Sequence, residues 1–205
     1  MEYLVHVIAG FGMAFLGLVP PGMLNMTTLR TSLEYGIKPA RAFAAGAASV
    51  VIIHSGIAVY FATYLNDHPE VITRLRYLGI AVFLALAVFF FRQARKKFKG
   101  QGKDRKGNYF MQGLSMSAIN MLGVPFYLGV STLLEAKGWI TLDMPFMWYV
   151  VGGACLGAFA LFMTYAILAD KIVSRISFIA SNINYILSIL FLVLAIVVLV
   201  NVISG

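Results

Sequence analysis

The first apolar stretch of the chain, residues 3–29, reads YLVHVIAGFGMAFLGLVPPGMLNMTTL. Its 27 residues contain no Asp, Glu, Lys or Arg, and a membrane-spanning helix needs about 20 predominantly apolar residues. Pro20-Pro21-Gly22 interrupts the stretch well inside it. Because proline removes a backbone donor and clashes with the preceding turn, the sequence predicts a transmembrane helix that kinks or unwinds at this point.

The rest of the chain has the same apolar character. Of its 205 residues, 60% are hydrophobic and 12% are charged, which excludes a soluble, disordered or disulfide-rich protein. Several later runs are apolar on every face, as in helices, and lack the alternation of transmembrane β-strands. We therefore predict an all-α integral membrane protein with six transmembrane helices, near residues 3–29, 40–65, 70–92, 109–134, 144–169 and 176–203.

The basic residues predict the orientation in the membrane. Of the 16 Lys and Arg residues, 13 lie in the loops after helices 1, 3 and 5, and three lie on the opposite side. The positive-inside rule then places both termini outside and the basic loop at 92–108 in the cytoplasm, in a multi-pass protein of the cytoplasmic (inner) membrane. The start of the chain lacks a basic region before its first apolar run, so we expect the first helix to be retained. The basic loop is expected to contact anionic membrane lipids, and its single aromatic residue, Phe98, argues against nucleic acid.

The two halves of the chain resemble each other at fixed offsets. Three helices in each half force the copies into opposite orientations, so the sequence predicts two inverted three-helix repeats at 1–92 and 109–205, joined by a basic cytoplasmic linker at 93–108. Inverted repeats are typical of secondary transporters, whose substrate sites lie near the membrane midplane. Offsets of 101 and 107 give the matched pairs Gly12 with Gly113, Gly22 with Gly123, and Gly46 with Gly153.

Helix 4 carries Gly123 and Pro125 where helix 1 carries its own break. The half-helix that starts after the first break would point its positive end into the membrane centre, which suits a carboxylate. Asn25 follows the first break by one turn and Asn120 lies beside the second, where each either lines a substrate site or bonds between helices. The candidate substrate-binding residues are therefore Pro20, Pro21, Gly22, Asn25, Asn120 and Pro125.

His54 is the only ionisable side chain predicted near the midplane. Histidine titrates near neutral pH, so His54 is the candidate for proton coupling, and the alternative is a neutral histidine bonded to a carbonyl. No Asp or Glu lies inside a predicted span, so the sequence offers no paired carboxylates, no metal site and no enzyme chemistry, and we expect no cofactor. Gly153 and Gly157 allow close helix approach, within one chain or in a homodimer.

These motifs resemble those of the lysine exporter and homoserine/threonine efflux family. Residues 21–25, PGMLN, resemble the PGPxN signature of its helix 1, and residues 34–47 are similar to its glycine and basic loop. Asn120 matches the asparagine of its helix 4 NPK motif. The resemblance implies export of amino acids, driven by a proton or potential gradient.

The chain departs from this family at three places. Met23 replaces the second proline of the signature, Leu24 replaces an acidic residue often found next, and residues 121–122 are Met-Leu rather than Pro-Lys. Without that acid, a neutral amino acid or related small metabolite is the expected substrate. A passive channel or a membrane scaffold is the alternative, and saturable, gradient-dependent flux would distinguish the exporter from both. A membrane-embedded enzyme is the least favoured class.

Overall fold

The structure is a computed structural model that describes residues 1–94, 107–120 and 122–204, and the predicted linker at 93–108 lies largely outside these ranges. The described residues form α-helices and no β-strand. The helices are α1 (Glu2–Gly17), α2 (Met23–Tyr35), α3 (Ile37–Asp67), α4 (Pro69–Ala94), α5 (Tyr109–Ala118), α6 (Gly123–Ala136), α7 (Phe146–Ile167) and α8 (Ala169–Ser204).

The all-helical prediction is confirmed for the described residues, but the number of membrane spans is not settled by helix length. Within α3, residues 37–65 are long and apolar enough to cross a membrane, and so is α7. The pair α5 and α6 is bent by 68° at its break and makes a third span if the two helices are counted together. The first predicted span is divided into α1 and α2, so neither piece reaches span length on its own. Six spans therefore stay a prediction.

The contacts between residues divide the chain into two compact units. The first unit holds residues 1–64 and 106–175, and the second holds residues 65–105 and 176–205. Each unit thus combines segments from both halves of the chain. The predicted repeats at 1–92 and 109–205 are sequential segments, and their boundaries stay a prediction.

In the first unit, α1 and α7 cross with their backbones in direct contact. A Cβ atom added to Gly10 would overlap the carbonyl oxygen of Val150, and one added to Gly153 would overlap that of Val7. A Cβ atom on Gly157 would likewise meet the backbone of α1. Small residues are what allow two helix backbones to approach this closely. The predicted close contact at Gly153 and Gly157 is therefore made within one chain.

The crossing of α3 and α5 repeats this contact. Adding 103 to residue numbers in α1 gives residues of α5, and subtracting 107 from residue numbers in α7 gives residues of α3. These two offsets convert the α1–α7 glycine contacts into the α3–α5 glycine contacts. The matched residues are Gly10 with Gly113, Val7 with Phe110, Val150 with Phe43, and Gly153 with Gly46. The offset of 107 is the one the sequence predicts, whereas α1 and α5 match two residues away from the predicted pairing of Gly12 with Gly113.

The turn between α2 and α3 is made by Gly36, whose φ of +89° lies in the left-handed region that favours glycine. It is the only residue between the two helices, because α2 ends at Tyr35 and α3 begins at Ile37. Gly36 belongs to the stretch at residues 34–47 quoted above for its resemblance to a glycine and basic loop. The glycine therefore has a conformational reason to be there.

In the second unit, α4 and α8 pack side by side in opposite directions. Three successive contacts show this direction: the residue numbers increase along α4 while those of the contacting residues decrease along α8. The Ser188 hydroxyl donates to the Ala87 carbonyl at 2.9 Å, and two aromatic pairs flank that bond. These pairs are Phe83 with Phe191, at 6.0 Å between ring centroids, and Phe91 with Tyr185, at 6.3 Å.

Candidate functional site

The first helix break lies at residues 18–22, between α1 and α2. Pro20 and Pro21 have no backbone N–H group, so the helix cannot continue its hydrogen-bond ladder through them. Carbonyl groups at the end of a helix need other donors, and the cost of leaving them without one is high in the absence of water. The question at this break is which groups supply those donors.

Asn25 supplies two of them. Its side-chain amide donates to the carbonyl of Leu18 at 2.6 Å and to that of Pro20 at 3.0 Å. The side chain is 3% exposed, and a primary amide has two N–H groups, so both are in use. Asn25 therefore holds the end of α1 against the start of α2. These bonds join the two halves of one broken helix.

Tyr165 supplies the third donor. Its hydroxyl, on α7, donates to the carbonyl of Val19 at 2.7 Å. The sequence analysis did not single out this residue, although a tyrosine within an apolar helix needs a partner for its hydroxyl when it is buried. That need was the available signal, but the carbonyl that meets the hydroxyl could not be named from the sequence.

The second break lies between α5 and α6 and is satisfied locally. The Asn120 side-chain oxygen accepts from the backbone N–H of Leu122 at 3.3 Å, and its backbone carbonyl accepts from the N–H of Gly123 at 3.2 Å. Asn120 thus shapes its own turn and makes no bond to another helix among the described residues. Pro125 lies in the first turn of α6, where proline's missing donor costs nothing, and it is exposed.

His54 lies against this second break. A Cβ atom on Gly123 would overlap the His54 imidazole ring, so the ring occupies the space that a side chain would take. His54 is partly buried. No hydrogen bond to it is found among the described residues. The histidine that the sequence nominated for the proton is therefore brought to the break that carries Asn120 and Gly123.

The two breaks approach each other in the first unit. Gly17, the last residue of α1, lies beneath the ring of Phe126 from α6, because a Cβ atom on this glycine would overlap that ring. Helices α2 and α5 also contact each other. The candidate site residues thus form two groups, one at each break. The group at the first break is Pro20, Pro21, Gly22 and Asn25, and the group at the second is Asn120 and Pro125.

The N-termini of α2 and α6 begin at these breaks without side-chain caps. The first N–H groups of a helix carry partial positive charge and favour an anionic group. Tyr127, one turn into α6, has a hydroxyl that is buried and finds no hydrogen-bond partner in the part of the chain that the structure describes. The side chain is 2% exposed. It was not singled out from the sequence.

An open cavity of about 380 Å³ lies elsewhere in the first unit, between the end of α2 and the junction of α7 with α8. It includes Ser32, whose hydroxyl donates to the Ala166 carbonyl at 2.7 Å, and the exposed Asp170. None of the candidate site residues lines it. Among the described residues, no group of three His, Cys, Asp or Glu side chains could hold a metal ion.

Comparison with known proteins assigns the chain to a family. The model of the LysE type translocator family matches residues 15–202, a range that includes both breaks. The chain belongs to the LysE type translocator family. No similar curated protein and no similar solved structure was found.

Membership in the LysE type translocator family confirms the resemblance drawn from residues 21–25, residues 34–47 and Asn120. It makes the chain a membrane protein that transports small molecules, in agreement with the apolar helices α3 and α7. The LysE family is a family of transporters and not of enzymes.

Proposed function

We propose that this LysE-family protein is a secondary transporter that exports neutral amino acids or related small metabolites by alternating access. The observation that carries the proposal is the pair of broken helices, α1–α2 and α5–α6, within one compact unit. Broken helices that expose their N-termini at membrane depth are the means by which many transporters bind the carboxylate of a substrate. Export is driven by the proton gradient or the membrane potential.

The proposed site lies at the two breaks. Its substrate-binding residues are Pro20, Pro21, Gly22, Asn25, Asn120 and Pro125, to which we add the free hydroxyl of Tyr127. The uncapped N-terminus of α2 would receive the carboxylate. Among the residues that the structure describes, no acidic side chain is found beside it for a cationic group, and the buried Leu24 stands where the family often has an acid. This absence favours a solute with no net charge.

The matched glycine contacts support two inverted repeats. The α1–α7 and α3–α5 crossings use equivalent glycines and equivalent carbonyl groups, and such equivalence is expected when two copies of one three-helix unit pack face to face. In a transporter of this kind, the two copies exchange conformations to open the site to either side of the membrane. We propose that the protein lies in the cytoplasmic (inner) membrane. Both termini then lie outside the cell membrane, and the loop at 92–108 lies in the cytoplasm.

Transport can be tested with purified protein in liposomes. Vesicles would be loaded with a mixture of amino acids and placed in an acidic medium, and the loss of each solute would be followed by mass spectrometry. We expect saturable loss of a few neutral amino acids that stops when an ionophore removes the gradient. Equal loss of all solutes would indicate a channel, and no loss from folded protein would exclude amino acids as substrates.

The role of His54 has its own test. His54→Gln removes the titrating group while keeping a polar side chain of similar length, so we expect folded protein whose export no longer varies with pH. His68→Gln is the matched control, because His68 lies in the connection between α3 and α4 and belongs to neither break, and export by this variant should keep the pH dependence of the wild type. If export by His54→Gln also keeps that dependence, His54 does not carry the proton.

A further inference from the structure

The connection between α6 and α7 is held by His6 of α1. The backbone N–H of Thr141 donates to His6 Nε2 at 2.9 Å, and His6 Nδ1 lies 2.8 Å from the carbonyl oxygen of Glu2. The imidazole is 3% exposed and stacks on Phe146, with 4.7 Å between ring centroids. One buried ring therefore ties the first turn of the chain to a segment 135 residues later.

The two partners of His6 determine its protonation state. A backbone N–H can only donate, so Nε2 must present a lone pair to Thr141. A carbonyl can only accept, so Nδ1 must carry the proton that it donates to Glu2. The ring is therefore the neutral Nδ1–H tautomer. A second proton would sit on Nε2 and point at the Thr141 N–H, and that bond cannot coexist with the imidazolium form.

Other polar contacts of the segment that His6 holds are local or involve side chains, such as the Trp139 N–H donating to the Leu134 carbonyl at 3.0 Å. The Leu142 N–H donates to a Glu135 side-chain oxygen at 3.2 Å, and the Thr63 hydroxyl lies 3.4 Å from the Leu142 carbonyl. Ile140 is 4% exposed and the Leu142 side chain is fully buried. The segment is therefore held by the burial of these apolar side chains, and His6 and Glu135 accept hydrogen bonds from two successive backbone N–H groups.

The geometry points to His6 as a proton-binding site that releases the α6–α7 connection. When the pH falls below the range in which histidine takes up a proton, Nε2 of His6 becomes protonated. The Thr141 N–H then loses its acceptor and faces a second donor, so the segment from Trp139 to Pro145 detaches from α1. The charged side chains on the elements packed against the ring are Glu2 on α1, Glu135 and Lys137 at the end of α6, and Asp143 in the connection, together with the amino group of Met1. Three of these side chains are acidic.

This inference extends the proposed function without depending on it for its test. If the protein is a proton-driven exporter, the site lets acidity on the side of the N-terminus open that end of the protein. The structural event itself is measurable without any substrate.

Hydrogen exchange monitored by mass spectrometry provides the test, on the full-length protein in detergent micelles. The protection of the Thr141 and Leu142 amides, corrected for the intrinsic pH dependence of exchange, would be followed between about pH 8 and about pH 5. We expect protection of the Thr141 amide to fall about tenfold at the acidic end, the scale of losing a buried hydrogen bond. Protection that stays constant in the wild type would overturn the proposal.

Two variants assign the titrating group. In His6→Gln, the amide oxygen can accept from Thr141 but takes up no proton, so protection should stay within about twofold across the pH range. In Glu135→Gln, the amide oxygen still accepts from Leu142, and the wild-type pH response should persist. A response retained in His6→Gln and lost in Glu135→Gln would transfer the role to Glu135 and refute the assignment to His6.

A transport measurement with the pH set separately on each side then distinguishes the two proposals. Export by His6→Gln that no longer responds to acid on the side of the N-terminus would join the site to transport. If the wild type shows no transport of any kind while its exchange response persists, the proposed function fails and the proton site stands. The reverse result, transport without the exchange response, removes the proton site alone.

Discussion

The two helix breaks are satisfied by different means. At the first, carbonyl groups of Leu18, Val19 and Pro20 receive hydrogen bonds from side chains of α2 and α7. At the second, the hydrogen bonds found for Asn120 among the described residues all lie within the turn that contains it. The first break is therefore held by its own second half, α2, and by one neighbouring helix, α7. The hydrogen bonds described at the second break lie within its own turn, which the ring of His54 contacts.

This difference suggests that the two breaks have different roles. A break whose carbonyls are bonded to a neighbouring helix cannot change shape without losing those bonds, and each lost bond leaves a buried acceptor without a donor. A break bonded only locally can move as a unit. We therefore expect the first break to set the geometry of the site. We expect the second break, together with the adjacent His54, to change its position between conformations.

The largest effect is expected from removing the side-chain donor of the first break. Asn25→Ala leaves the Leu18 and Pro20 carbonyls without donors and should lower the free energy of unfolding by about 3 kcal/mol. The matched change, Asn120→Ala, removes one local bond of 3.3 Å and should cost about 1 kcal/mol. Thermal unfolding in detergent micelles measures both, and equal losses would mean that the two breaks are held alike.

A smaller effect is expected from filling the space beneath His54. Gly123→Ala places a Cβ atom within the imidazole ring and should cost about 2 kcal/mol, because the ring or the break must move. Gly22→Ala, at the equivalent end of the first break, meets no atom closer than 4.0 Å and should be nearly neutral.

The double variant Gly123→Ala with His54→Ala sharpens this prediction. Removing the ring should recover most of the loss, and the difference from the sum of the single variants measures the contact directly. A Gly123→Ala loss that persists without the ring would place its cause in the backbone of the break.

The smallest effects are expected from two tyrosine hydroxyls. Tyr165→Phe removes the donor to Val19 and should cost about 1 kcal/mol. Tyr127→Phe removes a buried hydroxyl that has no partner among the described residues, so the free energy of unfolding should stay unchanged or rise slightly. The KM for export is the second measurement. If Tyr127→Phe raises this KM while the free energy of unfolding stays unchanged, the hydroxyl binds the solute, as proposed.

Much of this architecture could be predicted from the sequence because lipid leaves few options. Long apolar runs without charge must be helices, and Pro20-Pro21 must interrupt one, so the division into α1 and α2 follows from composition and backbone chemistry. The second break was predicted from Gly123 and Pro125, and it lies between Ala118 and Gly123. The motif at residues 21–25 was sufficient to suggest the family.

The contacts at the breaks could not be predicted from the sequence. Nothing in the neighbourhood of Tyr165 indicates that its hydroxyl meets the carbonyl of Val19, 146 residues earlier. The sequence left open whether Asn25 lines a substrate site or bonds between helices, and it did not indicate that both N–H groups of its side chain donate to backbone carbonyls. The role of His6 was missed for the same reason, since its acceptor is needed by a backbone N–H in a distant connection and no residue pattern records that need.

The glycine crossings also bear on how the chain is assembled. Val150, which lies against Gly10, is made 140 residues after it, which at ordinary rates of synthesis is a delay of roughly 7 to 28 s. During this time α1 is without its partner helix. The α3–α5 crossing also joins the two halves of the chain, so neither half can complete the first unit alone. The halves, expressed as separate polypeptides, should each be short-lived in the membrane and become stable when they are produced together.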